Sequence, residues 1–287
     1  MKPAWLNKKI NFKDCSEMKQ SLRSLGVETV CEQAMCPNIG ECFLAKTATF
    51  LILGKNCTRS CRFCNIQHSK PLAVDEGEPE KVAQAVEQLD LKHVVITSVT
   101  RDDLSDGGAE IFVATVNSIK RKTPKVTVEL LIPDFGFSLT ALKIVADSGA
   151  AIIAHNLETV PSLYAQVRQG ADYTHSLGLL RTLKEIAPQL KTKSGLMLGL
   201  GESPEEVLAV MQDLRSVNCD LLSIGQYLAP SKQHYPVKEY ISLEQFDSYK
   251  EKAKELGFLH IQSAPYVRSS YLAAQYLSWR ENSLCLK

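Results

Sequence analysis

Thr49-Phe50-Leu51-Ile52-Leu53 runs directly into Gly54-Lys55-Asn56-Cys57-Thr58-Arg59-Ser60-Cys61-Arg62-Phe63-Cys64. A short β-rich apolar run thus empties into a loop bearing three cysteines. Beyond it the chain alternates between runs of this kind and amphipathic stretches. Runs fall at 49–53, 93–98, 125–132, 151–154, 194–198, 221–227 and 259–262. Between them Val82, Val86 and Leu89 mark one apolar helical face, and Phe112, Val116 and Ile119 repeat the spacing. Ser203-Pro204-Glu205-Glu206 reads as a capped helix start, with Glu206 closing a capping box. A further helix is expected over 243–256, stopped by Gly257. Six or so βα units in a row predict an α/β fold with a parallel sheet and helices outside. A curved, incompletely closed barrel and a doubly wound open sheet both satisfy this spacing.

In parallel α/β folds chemistry gathers on loops leaving the C-terminal ends of strands. Cys57, Cys61 and Cys64, spaced Cys-x3-Cys-x2-Cys, occupy such a loop. Three thiolates can hold three irons of a 4Fe–4S cluster, which normally takes four cysteines, leaving one iron open to a small molecule. Structural zinc is the alternative; it needs a fourth ligand, and His68 is the nearest candidate. Upstream, Cys31, Cys36 and Cys42 form a second triad, Cys-x4-Cys-x5-Cys, again one ligand short. Of nine cysteines, six lie within 31–64; Cys15, Cys219 and Cys285 stand apart and read as core or surface thiols.

The 287 residues carry 33 basic and 32 acidic side chains, so the balance gives no basic footprint for nucleic acid and none for a membrane surface. Hydrophobic residues make up 45%, enough for a sizeable core. No apolar run reaches membrane-spanning length, and the N-terminal stretch lacks the apolar segment of a secretory signal. A cytoplasmic location is expected, and in that reducing compartment clustered cysteines read as metal ligands more than disulfides.

The barrel-loop triad, with Phe63 before its last cysteine, resembles the radical S-adenosylmethionine (SAM) superfamily. The pair of triads resembles the lipoyl synthase family within it. That resemblance runs on through Thr97–Ala109, His155–Pro161, Lys193–Glu202, Gly225–Ser231 and Val267–Tyr271, spanning about residues 30–273. A biotin-synthase relative fits the second triad and Arg268-Ser269-Ser270-Tyr271 less well. A zinc-stabilised binding module without catalysis is the rival from another class, and bound zinc without iron would mark it.

The resemblance implies a partial (β/α)6 barrel of radical SAM type over 47–257. An N-terminal extension, 1–46, carries the auxiliary cysteines, and a C-terminal segment, 258–287, carries the Arg-Ser-Ser-Tyr motif. It implies two 4Fe–4S clusters and SAM. Cys57, Cys61 and Cys64 would hold the radical-generating cluster. Cys31, Cys36 and Cys42 would hold the sulfur-donating one, with Ser270 as fourth ligand and Ser269 as its close alternative. By the same resemblance Gly107 and Gly108 lie near the methionyl end of SAM, and Asn156, Glu158 and Arg168 bind its ribose or carboxylate. Arg101 and Asp103 would position the substrate amide or the carrier. Octanoylated lipoyl carrier domains are the implied substrates, and a ferredoxin or flavodoxin the implied reductant.

Overall fold

The computed structural model describes residues 3–6 and 16–278. Cys15 and Cys285 lie outside the described residues. In chain order the elements are α1 (Ser16–Ser24), β1 (Glu28–Thr29), α2 (Val30–Gln33), α3 (Ile39–Leu44), β2 (Thr47–Ile52), β3 (Asn56–Cys57), β4 (Gln67–His68), α4 (Glu78–Gln88), β5 (His93–Ser98), α5 (Ala109–Lys122), β6 (Thr127–Leu131), α6 (Leu139–Ala146), β7 (Ile152–Ala154), α7 (Tyr164–Val167), α8 (Tyr173–Ile186), β8 (Lys191–Leu198), α9 (Pro204–Ser216), β9 (Leu221–Gln226), α10 (Leu243–Glu255) and β10 (His260–Ser263).

The main sheet has the order β1-β2-β5-β6-β7-β8-β9-β10. Every pair from β2 to β10 is parallel, and β1 joins β2 antiparallel. Spatial order therefore follows chain order without the reversal that defines a doubly wound sheet. Flat, these seven parallel strands would extend about 29 Å from first to last. Yet one cavity of about 480 Å³ touches Thr49 of β2, Thr97 of β5, Leu131 of β6, Gly195 of β8 and Gly225 of β9. The sheet is thus rolled around a common space at its C-terminal end, while β2 and β10 remain unpaired with each other. This is the partial barrel, α/β in class, with helices outside.

Local chemistry explains the elements. Phe112, Val116 and Ile119 on α5 are fully buried, as their spacing predicts. At the start of α9 the Ser203 hydroxyl accepts the Glu206 N–H at 3.3 Å, and the Glu206 carboxylate accepts the Ser203 N–H at 2.8 Å. Strand β8 starts at Lys191, three residues before the expected 194. Lys193 is wholly buried, with Nζ 2.6 Å from Glu129 Oε1 of β6. Burial pushes the Glu129 carboxyl up, and the charges of Lys193 and His93 more than reverse this, holding it below the ordinary carboxylate value. Tyr276 covers the pair, its ring centroid 4.0 Å from Lys193 Nζ. Cys219 is a buried core thiol.

Gly108 sits at φ +93° ahead of α5, where a Cβ would lie 2.2 Å from Leu53 Cδ1. Its freedom lets the β5–α5 turn pack onto the end of β2. Gly108→Ala should therefore cost about 1–3 kcal/mol of stability through overpacking and backbone strain. Denaturant unfolding of the full chain measures it, and an unchanged midpoint would contradict the packing role.

Candidate functional site

Strand β2 delivers Cys57, Cys61 and Cys64 to the rim of the rolled sheet. The loop is held by an arginine the sequence reading did not single out. Arg59 spans two other strand ends: its Nη2 donates to Asp102 at 2.8 Å, beyond β5, and to Asp134 at 2.8 Å, beyond β6. A second fork bond joins Nη1 to Asp134, whose side chain is 1% exposed. The ion pairs join positions 43 and 75 residues apart, so no local pattern announces them. Arg62 N–H donates to the Val167 carbonyl at 2.9 Å, and Tyr235 N–H to the Arg62 carbonyl at 2.8 Å. Two backbone N–H groups point at Cys57 Sγ, from Arg59 at 3.4 Å and from Thr100 at 3.3 Å.

The second triad comes from the N-terminal helices. Thr29 caps α2, accepting the Glu32 N–H at 3.3 Å, and Cys31 follows on its first turn. Cys36 lies between α2 and α3, and Cys42 is buried on α3. Met35 takes φ +47°, a left-handed kink that turns the chain between Cys31 and Cys36. This segment is stitched to the far end of the chain. Asn38 Nδ2 donates to the Tyr266 carbonyl at 2.6 Å, and the Tyr271 hydroxyl donates to Glu41 Oε2 at 2.8 Å. Val267 and Arg268 press against β9 at Gly225, where a Cβ would sit 2.0 Å from the Val267 oxygen.

Between the triads lies the cavity of about 480 Å³, of the size that small-molecule sites use. Cys31, Cys36 and Cys42 line it, as do Cys64, Asn156, Glu158, Ser269 and Ser270. Much of the remaining wall is apolar: Val30, Met35, Ile66, Leu131, Met197 and Tyr227. Asn156 Nδ2 donates to Glu158 Oε1 at 3.0 Å, and Ser269 Oγ donates to Asn156 Oδ1 at 2.9 Å. Among the described residues no hydrogen bond engages the Ser270 hydroxyl. Glu158 holds φ +68°, a strained state for a residue with a Cβ. It is locked there by Glu158 N–H to Gly195 O at 3.0 Å and Met197 N–H to Glu158 O at 2.8 Å.

Arg168 stands behind this wall. Its Nη1 donates to the Tyr164 hydroxyl at 3.0 Å and Ser176 Oγ at 3.1 Å. Burial raises the Glu158 carboxyl, and the Arg168 charge opposes that rise. Burial also lowers the His155 imidazole to about 4, with Arg168 adding to the effect. The ring is therefore neutral at neutral pH, with Nδ1–H donating to the Ile132 carbonyl at 3.0 Å. Gly107 and Gly108 are not on the larger cavity: Gly107 abuts Phe135 and Gly108 abuts Leu53. Arg101 and Asp103 clasp each other at 2.8 Å, and Arg101 Nη1 donates to the Leu53 carbonyl at 3.2 Å. His68 is exposed.

The donor chemistry suits iron–sulfur clusters. Burial, then Cys36, raises the Cys31 thiol to about 12. Burial raises Cys64 to about 12, with Cys61 and Cys57 adding to it. Burial raises Cys61 to about 11 against the pull of Arg168. Within each triad the thiols thus feel one another, and a cationic metal body would displace their protons. Among the described residues no three His, Cys, Asp or Glu side chains form a single-ion site.

Residues 51–214 match the family described as the radical SAM superfamily. Methylornithine synthase shares the fold, with a TM-score of 0.58 over 85% of this chain and 74% of that one at 14% identity. The chain belongs to the radical SAM superfamily, whose defining equipment is a 4Fe–4S cluster and SAM. Lipoyl synthase of Geobacter sulfurreducens is 59% identical over 275 residues, 96% of this chain and 90% of that one. Lipoyl synthase of Geobacter metallireducens is 57% identical over 96% of this chain and 97% of its own. Within the superfamily, the chain is a member of the lipoyl synthase family. No helix among the described residues is long and apolar enough to cross a membrane.

The Arg59 clamp has a measurable consequence. Arg59→Met leaves the Asp134 carboxylate buried without its cation and should cost about 3–5 kcal/mol of stability. Adding Asp134→Asn should return part of that loss. Denaturant unfolding of both variants checks this, and equal stability of Arg59→Met and the unaltered chain would rule the clamp out.

Proposed function

We propose that this chain inserts two sulfur atoms, at the sixth and eighth carbons, into an octanoyl group amide-linked to a lysine of a carrier domain, giving the lipoyl group. The observation that carries the reading is one cavity lined from both cysteine groups, by Cys64 of one and by Cys31, Cys36 and Cys42 of the other. Cys57, Cys61 and Cys64 would hold the first 4Fe–4S cluster, and Cys31, Cys36, Cys42 and Ser270 the second. Loaded with both clusters and SAM, the site gains a means of abstracting hydrogen from unactivated carbon and a store of sulfur.

The chain's own residues do the rest. Apolar walls from Ile66, Leu131 and Met197 take an extended acyl chain and keep water from it. Asn156 and Glu158 offer polar groups on the wall for SAM, and Arg168 acts from behind by holding charge at Glu158. Gly107 and Gly108 would serve SAM through the packing of the β5–α5 turn. Ser270 is favoured over Ser269 as the fourth ligand because the Ser269 hydroxyl is already committed to Asn156 at 2.9 Å. A hydroxyl oxygen is a harder ligand than thiolate, so Ser270 would hold its iron less firmly than the three cysteines hold theirs. A ferredoxin or flavodoxin supplies electrons, and a reducing cytoplasm keeps the six thiols available.

Reconstituted anaerobically, the chain should bind about eight irons. With SAM, a reductant and an octanoyl-lysyl peptide it should yield the lipoyl peptide, read by mass. Zinc without iron, or about four irons alone, would overturn the two-cluster reading. Ser270→Cys should keep both clusters and slow sulfur insertion; unimpaired turnover in that variant would refute the weak-bond role.

A further inference from the structure

Arg268 lines the cavity immediately before the two serines. Its Nη1 donates to the Val267 carbonyl at 2.7 Å and the Pro265 carbonyl at 3.3 Å. Among the described residues its Nε and Nη2 have no protein hydrogen-bond partner, and no carboxylate stands within ion-pair distance. Two other enclosed arginines have an anion at hand. Arg59 has Asp102 and Asp134, and Arg101 has Asp103. A guanidinium taken out of water without an anion is costly, and one whose charge is always present cannot escape by losing its proton. Arg268 and Cys36 share the lining of that cavity. Gly225 enforces the position: a Cβ there would meet the Val267 oxygen at 2.0 Å and Arg268 Nη1 at 3.3 Å.

What satisfies such a cation is an anion on its own side of the cavity, beside Cys36. A 4Fe–4S cluster held by three thiolates and a serine oxygen is net anionic, and nearby charge and hydrogen bonds to its sulfurs set its potential. We propose that Arg268 is the counter-cation of the cluster held by Cys31, Cys36, Cys42 and Ser270, with its unused Nε–Nη2 edge donating to that cluster. The inference rests on the two-cluster reading above. Arg268 is a positioning residue: it keeps the cluster's charge tolerable in an apolar cavity and raises its reduction potential.

The test isolates that cluster in the full chain by Cys57→Ala, Cys61→Ala and Cys64→Ala together. Iron content and the midpoint potential, followed by electron paramagnetic resonance, are measured anaerobically, with the rate of iron loss to a chelator. The parent variant should hold about four irons; if it holds none, the second cluster itself is refuted, a failure distinct from that of Arg268. In this background Arg268→Gln and Arg268→Met should lower the potential and speed iron loss about tenfold or more. Arg268→Lys, which restores charge alone, should return the potential most of the way. Should Arg268→Met not take up iron, Gln against Lys decides the matter. Potentials for Gln and Lys both equal to that of Arg268 would overturn the counter-cation role.

Discussion

The site depends on two ends of the chain meeting across the mouth of a rolled sheet. Asn38 bonds the Tyr266 carbonyl and Tyr271 bonds Glu41, over separations of 228 and 230 residues. Helices α2 and α3 are only four and six residues long, too short to stand without tertiary support. That support comes from β1, which pairs Glu28 with Leu51 and Thr29 with Phe50 of β2, and from the C-terminal segment. The same β2 leads into the loop of Cys57, Cys61 and Cys64. The β1–β2 ribbon therefore fixes the two cysteine groups relative to each other. A shift in its pairing would move both.

Below the cavity the interior of the sheet is charged. Lys193 and Glu129 are each two residues before a cavity-lining position, Gly195 and Leu131. They form a floor beneath the reactive space, capped from the other side by Tyr276. Burying such a pair is no certain gain in stability, because desolvation offsets much of the Coulomb attraction. Its geometric effect is clear: it ties β6 to β8 through side chains, across the short strand β7 that separates them in the sheet. Arg59 does the same at the upper rim, tying the cysteine loop to the ends of β5 and β6. Layers of side-chain pairing thus hold a sheet that lacks closing hydrogen bonds between its first and last strands.

The βα alternation was legible because β-branched runs such as 93–98 and helical faces such as Phe112, Val116 and Ile119 differ in period. The capping box at Ser203 was legible for a similar reason, its two bonds being local. Strand order was not, since spacing alone fits two windings; it took the pairing itself to choose the rolled one. Lys191 and Lys193 hid the start of β8 because a lysine reads as solvent-facing until its partner, here 64 residues away, is known. The cysteine groups were plain from spacing, whereas the Arg59 clamp and the Ser269–Asn156 bond are contacts between distant loops. Gly107 and Gly108 illustrate the converse. Their pattern pointed to close approach, and the approach found is to Phe135 and Leu53.

The hydrogen-bonded line Ser269–Asn156–Glu158 gives the two sides of the cavity a physical connection. Glu158 is held in a strained conformation by β8 and feels the charge of Arg168, which also acts on Cys61. Ser269 neighbours Ser270 and follows Arg268. A change of charge near Cys61 therefore reaches the serine segment through three polar side chains. An apolar wall lowers the local dielectric, so such a line is felt more strongly there than in bulk water. The proposed radical source and the proposed sulfur source are joined by this line, which runs along the cavity wall.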